Sequence, residues 1–263
     1  MAENPVIRRF GAATGANRNV PTPSAGDLQN MYDQPTYAGP RPGQRWMTLD
    51  DVVQRTGAML LVILAAGAVA WTTLPDDAAG PALILSLIGG LGLGFYISLS
   101  GRANAATCLV YSAFEGVLLG TISKFFEQRY PGIVVQALTG TIMVAVAMLF
   151  VYKIGAIRVT PRFTRIVIGA TLGAFGLMLV NLVAYLFVDG GLGLRDGGVL
   201  AIGFSLLCIV LAAMNLVVDF DMVQQGIRNG ADQKFAWYAS FGITVTLVWL
   251  YIEILRLLGY MRN

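Results

Sequence analysis

Seven apolar runs of about twenty residues follow one another in this chain, and they constrain its fold more than any other feature. A run of that length crosses the hydrocarbon core of a bilayer, roughly 30 Å thick, as one α-helix. The predicted spans are approximately 56–74, 81–100, 103–124, 131–153, 164–188, 197–220 and 235–257. Short connections with Pro, Gly and charged residues separate them, as is typical of turns. The sequence therefore predicts an all-α polytopic membrane protein, a single bundle of seven transmembrane helices.

The composition excludes several classes of protein. Charged residues make up 13% of the chain, about half of what soluble domains carry. The absence of histidine excludes Ser-His-Asp and Cys-His catalysis and HExxH zinc sites. Two cysteines in apolar runs predict neither a disulfide framework nor a metal site. A net charge of +3 is too small to predict a nucleic-acid partner. We therefore expect a lipid bilayer as the partner, no resident cofactor and no enzymatic activity.

The N-terminal segment differs from the rest of the chain. Residues 1–47 are rich in Pro, Asn, Gly and Ser and lack a periodic apolar pattern. Such a segment buries too little apolar surface to offset the entropy lost on ordering. It is predicted to be a disordered cytosolic tail, and residues 48–263 the membrane domain. Thr48 is a predicted N-cap because Asp50 and Asp51 follow it, near the positive end of a helix.

Basic residues predict the orientation in the membrane, because cytoplasmic connections carry an excess of Lys and Arg. With the N-terminus inside, the inner segments hold 13 of the 18 basic residues and the outer segments hold 5. The five on the outer side are Lys124, Arg129, Arg195, Arg256 and Arg262. This count predicts a cytoplasmic N-terminus and a C-terminus outside.

Four acidic residues fall within the predicted spans or at their ends, where charge is costly and usually functional. They are Glu115, Asp219, Asp221 and Glu253. Asn181 and Asn215 are neutral companions, and apart from Arg256, near the outer end of its span, no base is placed deep in a span. Because the acids outnumber the bases, some are expected to be protonated, to meet a cation from outside or to face water. Acids that face a wet cavity favour a pH-dependent cation path.

Each acid also has a simpler interpretation. Asp221 can instead lie at the membrane–cytosol interface. Glu253 can instead form an ion pair with Arg256, three residues later on the same helix. Glu115 has no evident local partner and is predicted to belong to a polar interior cluster. Asp219 and Asp221 are two residues apart and point to nearly opposite sides of a regular helix, so they are not expected to form one site.

The segment Asp219-Phe220-Asp221-Met222-Val223 resembles the sixth-helix signature of the Bax inhibitor-1 family, also called the transmembrane Bax inhibitor motif or YccA-like family. A short polar loop and a last helix that ends with residues 250–258 follow it, as in that family. Residues 111–116 and 130–134 look like its bacterial branch. The resemblance covers roughly residues 56–260 and implies an integral protein of the bacterial inner (cell) membrane.

The resemblance implies a seven-helix fold with the last helix at its centre, and a pH-sensitive calcium leak controlled by two aspartates. Ca²⁺ would then be the transported ion. Asp219 matches the aspartate of the sixth helix, whereas Thr246 falls where the family has the aspartate of the seventh. Glu253 lies two turns further along the same face and replaces that acid only in a differently arranged pore. Arg102 is close to a family arginine of the second helix, for which Ser100 is the best-aligned position.

Two other functions compete with the leak. Some bacterial relatives are associated with a membrane-bound protease, so the chain is also consistent with a non-conducting regulator of another membrane protein, with the tail as its contact. An intramembrane aspartyl protease would have Asp219 as a catalytic acid, but its Gly-x-Gly-Asp motif is missing. The leak is the favoured prediction.

Overall fold

The computed structural model of the protein describes residues 24–26, 29, 45–188 and 190–262. The chain divides into two units, Met1–Gly43 and Gln44–Asn263. Of the first unit only residues 24–26 and 29 are described, so the predicted disorder of residues 1–47 lies largely outside the described residues. The last residues of that predicted tail are described: Met47 is buried, and its amide donates a 2.9 Å hydrogen bond to the Ala231 carbonyl.

Seven long α-helices make up the described part of the second unit, and each is long and apolar enough to span a membrane. They are α1 (Leu49–Thr73), α2 (Asp76–Ser100), α3 (Ala105–Arg129), α4 (Ile133–Lys153), α5 (Pro161–Tyr185), α6 (Val199–Arg228) and α7 (Phe235–Met261). The described residues contain no β-strand, only an isolated bridge between Trp46 and Asp232. The predicted all-α, seven-span fold is confirmed.

The start of α1 follows from its capping residues. The Thr48 hydroxyl accepts a 3.3 Å hydrogen bond from the Asp51 amide, and the Asp51 carboxylate accepts one of 3.0 Å from the Thr48 amide. This reciprocal pair satisfies two of the amides that a helix start leaves unpaired. The helix therefore begins at Leu49, directly after the predicted N-cap, and its first residues precede the apolar run that starts near residue 56.

The largest difference from the predicted spans is at the end of α6. The apolar run ends near residue 220, but the helix continues to Arg228. Polar side chains extend it there, since the Gln225 amide group donates a 2.5 Å hydrogen bond to the Asp221 carboxylate one turn earlier. Asp219 and Asp221 consequently lie within a continuous helix and not at its end.

The last helix is the centre of the bundle. In the most apolar stretch of α7, 56% of the residues are buried inside the protein, a larger share than in any of the other six spanning helices. It packs against α1, α3, α4 and α6. This arrangement agrees with what the family resemblance implies for the last helix.

The connections alternate between two ends of the bundle. The N-terminal side holds residues 45–48 and the α6–α7 connection, which are tied together by the Gln233 amide donating to the Arg45 carbonyl at 2.8 Å. The C-terminal side holds the α1–α2, α3–α4 and α5–α6 connections. Lys124 and Asp76 form an ion pair of 3.0 Å on this side, and Arg262 donates a 3.0 Å hydrogen bond to the Pro131 carbonyl.

Candidate functional site

Asp219 of α6 is bound to α7 through one hydroxyl group. Thr246 donates a 2.7 Å hydrogen bond from Oγ1 to Asp219 Oδ2. The same hydroxyl lies 3.1 Å from the Gly242 carbonyl oxygen, one turn earlier on α7. The position that aligns with the family's second aspartate thus does face Asp219, but it offers a hydroxyl instead of a carboxylate.

A glycine makes room for the Asp219 carboxylate against α7. A Cβ atom added at Gly242 would lie 3.4 Å from Asp219 Oδ1 and 3.6 Å from Met222 Cε. The carboxylate therefore packs directly against the backbone of α7 at Gly242, which has no side chain. Asp219 takes part in none of the four ion pairs formed by the described residues. Its hydrogen-bond donor at this site is the neutral hydroxyl of Thr246.

Asp221 points to a different neighbour, as its spacing from Asp219 predicts. The Tyr152 hydroxyl of α4 donates to Asp221 Oδ1 at 3.3 Å, and Gln225 donates to Oδ2. Asp221 is partly exposed, next to the N-terminal side of the bundle. The two aspartates are separate sites, and only Asp219 faces the central helix.

Glu253 is held in an ion-pair cluster on the C-terminal half of α7. The side chain is almost fully buried and accepts a 3.1 Å hydrogen bond from Arg256, the pair that the i+3 spacing predicted. Arg195 adds two further bonds of 2.9 and 3.0 Å, one to each carboxylate oxygen. Glu253 therefore does not replace the missing acid beside Asp219.

Arg195 is the charged residue whose role the sequence did not reveal. The basic-residue count placed it in an outer connection, and of the two arginines that pair with Glu253 only Arg256 was predicted. Burial alone would lower the pKa of the Arg195 guanidinium, but the hydrogen bonds and charge of Glu253 outweigh this and raise that pKa above its ordinary value. Arg195 is therefore a permanent cation.

Glu115 belongs to a polar cluster between α2 and α3. It is buried, and Tyr111, also buried, lies one turn earlier on the same helix. A Cβ atom at Gly90 of α2 would lie 3.0 Å from Glu115 Oε1. Tyr111 also makes an edge contact with Phe241 of α7, at a centroid distance of 5.0 Å, so this cluster reaches the residue before Gly242.

The supporting residues have different roles. Asn215 donates hydrogen bonds of 2.7 Å to the Thr171 hydroxyl and 2.8 Å to the Leu211 carbonyl, which ties α6 to α5 one turn before Asp219. Arg102 is exposed in the α2–α3 connection. Arg256 belongs to the Glu253 cluster.

The described residues contain no group of three or more His, Cys, Asp or Glu side chains that could hold a metal ion. Ca²⁺ takes six to eight oxygen ligands in stable sites. Asp219 and Thr246 together supply too few for such a site. They can offer a passing cation one carboxylate and one hydroxyl.

Comparison with known protein families gives a match over nearly the whole chain. The family described as Bax inhibitor 1 like matches residues 4–263. The match includes α6 and α7 with Asp219 and Thr246, and it confirms the resemblance seen in the sequence. No curated protein matches the chain.

Proposed function

Because the chain belongs to the Bax inhibitor 1 like family of membrane proteins, we propose that it is a pH-sensitive cation leak that conducts Ca²⁺. The observation that carries the proposal is the hydrogen bond of 2.7 Å between Thr246 and Asp219. It joins α6 to the central helix through a carboxylate that has no ion-pair partner among the described residues. Such a carboxylate can gain or lose a proton without leaving a buried base unpaired.

The proposed gate works through the strength of this one bond. A hydrogen bond to a charged group contributes about 1.5–3 kcal/mol, and one between neutral groups about 0.5–1.5 kcal/mol. Ionised Asp219 therefore holds α6 closely on α7. Protonation removes the charge, weakens the bond and favours separation of the two helices. The leak rises as the pH falls.

The test is Ca²⁺ flux into liposomes that contain the purified protein and a trapped indicator. In Asp219→Asn the side chain keeps its shape but is neutral at every pH. We expect its flux at neutral pH to equal that of the unaltered protein under acid conditions, and to vary little with pH.

Asp221→Asn is the matched control. It makes the same change two residues away on α6, at a side chain that faces Tyr152 instead of α7. We expect it to keep the pH dependence of the unaltered protein. The gate assignment fails if Asp219→Asn and Asp221→Asn have the same flux at every pH.

The other acids have secondary roles in this proposal. Glu115, with Tyr111, supplies a polar surface between α2 and α3 beside the central helix. Glu253 is neutralised by its two arginines at the C-terminal side. No catalytic step is proposed, since the chain has no histidine and its acids lie in separate clusters.

The proposal includes a bacterial inner membrane, with the N-terminus in the cytoplasm and the C-terminus outside. The excess of basic residues in the segments on the N-terminal side supports this orientation. A regulator of a membrane protease remains the competing function. It predicts no flux in liposomes, together with co-purification of a protease that is lost when residues 1–45 are deleted.

A further inference from the structure

The α5–α6 connection lies at the C-terminal side of the bundle and inserts one buried side chain, that of Leu194. Residues 190–198, here called the strap, contain four glycines with positive φ, which allow a compact path: Gly190 (85°), Gly191 (61°), Gly193 (75°) and Gly197 (87°). Leu194 is 9% exposed and packs in a core cluster with Phe204 and Cys208. The Leu192 amide donates a 2.9 Å hydrogen bond to the Asn181 side chain of α5. The strap is thus anchored on both sides of Gly193.

Arg195 attaches the strap to three helices at once. Its guanidinium binds both carboxylate oxygens of Glu253 on α7, at 2.9 and 3.0 Å. It lies 5.2 Å from the centre of the Phe204 ring on α6 and 3.3 Å from Met178 Sδ on α5. Paired guanidinium and carboxylate groups of this geometry form strong, directional bonds. Arg195 is therefore the main polar attachment of the strap to the central helix.

The carboxylate that Arg195 binds, that of Glu253, lies on the C-terminal side of the candidate gate formed by Asp219 and Thr246. Glu253 follows Thr246 by seven residues on α7, which places it on the same face and about 10 Å further along the axis. In the proposed leak, a cation that enters along this face from the C-terminal side meets Glu253 before Asp219. With the strap in place, the two guanidinium groups of Arg195 and Arg256 leave a net positive charge around this one carboxylate.

We propose that the strap closes the C-terminal side of the cation path, with the Arg195–Glu253 pair as its latch. In this arrangement the positive cluster repels cations and the inserted Leu194 fills the space beside it. Release of Arg195 leaves Glu253 in a neutral pair with Arg256, lifts the strap and opens an entrance toward Asp219 that no longer repels cations. The effect on flux rests on the leak function proposed above, whereas the attachment of the strap does not.

Thiol labelling measures the attachment independently of conduction. Leu194→Cys is introduced into a background without the two buried native cysteines (Cys108→Ala, Cys208→Ala), and the protein is labelled in liposomes with a membrane-impermeant maleimide. Loss of a charged hydrogen bond changes an open population by about tenfold. We therefore expect Arg195→Gln to speed labelling about tenfold. Arg256→Gln is the control, because it removes the other arginine of the cluster without touching the strap.

Ca²⁺ flux through the same variants tests the closure. We expect Arg195→Gln to raise the flux at neutral pH, and the double change Arg195→Gln, Glu253→Gln to abolish that gain while labelling stays fast. Arg195→Lys keeps the charge but loses the paired geometry, so we expect a smaller rise in both the labelling rate and the flux. It replaces Arg195→Gln as the test if that variant folds poorly.

The outcomes separate this proposal from the leak itself. Unchanged labelling in Arg195→Gln and Arg195→Lys overturns the strap. If labelling is faster but neither variant raises the Ca²⁺ flux, the strap does not close the cation path. Faster labelling with no flux in any protein, the unaltered one included, supports the attachment and overturns the proposed leak.

Discussion

At the scale of single residues, the site depends on the Thr246 hydroxyl, which donates a hydrogen bond but does not take up or release a proton near neutral pH. It donates to Asp219 as a second carboxyl group could when protonated. Two acids in contact take up protons in coupled steps. One acid with a hydroxyl partner takes up a single proton. A threonine at this position therefore predicts a pH response that involves one proton.

Removal of the Thr246 hydroxyl tests that bond directly. Thr246→Val keeps the shape of the side chain and leaves the Asp219 carboxylate without its donor. We expect the free energy of unfolding to fall by about 1–3 kcal/mol, because a charged group loses its hydrogen bond. The leak at neutral pH should rise as well. Thermal unfolding in detergent and Ca²⁺ flux in liposomes measure the two effects.

Thr141→Val is the control for this change. Thr141 is similarly buried, but its hydroxyl donates only to the Ala137 carbonyl of its own helix, at 2.7 Å. A loss of stability as large in Thr141→Val as in Thr246→Val would contradict a special bond at Asp219.

At the scale of helices, the sequence predicted the number and order of the spans because apolar length alone decides them. Their ends were harder to predict. The start of α1 was predictable from its N-cap, Thr48, whereas the end of α6 depends on polar residues beyond the apolar run. The opposite directions of Asp219 and Asp221 were predictable because they follow from helix geometry. The partner of Asp219 on α7 came only from the family resemblance.

The contact between α1 and α3 shows how small residues set helix distances. A Cβ atom at Gly120 would lie 2.4 Å from the Gly67 carbonyl oxygen, and one at Gly116 would lie 2.6 Å from the Ile63 carbonyl oxygen. Small residues at such contacts let two backbones approach closely in a membrane. At both positions a larger side chain would collide with the backbone of α1, which cannot move aside unless the whole helix shifts.

Gly120→Ala should therefore lower stability by about 1–3 kcal/mol, as overpacking does in other cores. Gly173→Ala on α5 is the matched control, since a Cβ atom there meets nothing within 4 Å. It should leave stability unchanged or raise it by up to about 1 kcal/mol, because alanine is the better helix former. Equal melting temperatures of the two variants would contradict the packing argument.

At the scale of the whole molecule, the central position of α7 brings separate polar clusters onto one helix. Asp219 binds α7 near its middle, and the Glu253 cluster lies nearer its C-terminal end. The link between Arg195 and Glu253 spans 58 residues of chain. It depends on how a glycine-rich connection folds back, which neither hydropathy nor helix spacing describes. That is why the acids and the Arg256 partner of Glu253 were found in the sequence, while its second partner, Arg195, was not.

The dependence of Ca²⁺ flux on pH, measured in liposomes over a full titration, tests the central claim most directly. If Asp219 is the one group that controls the leak, the flux rises as the pH falls through a transition that involves a single proton. Asp219→Asn should then be flat at the high, acid level. A flux that does not depend on pH, or an unchanged transition in Asp219→Asn, would contradict the account.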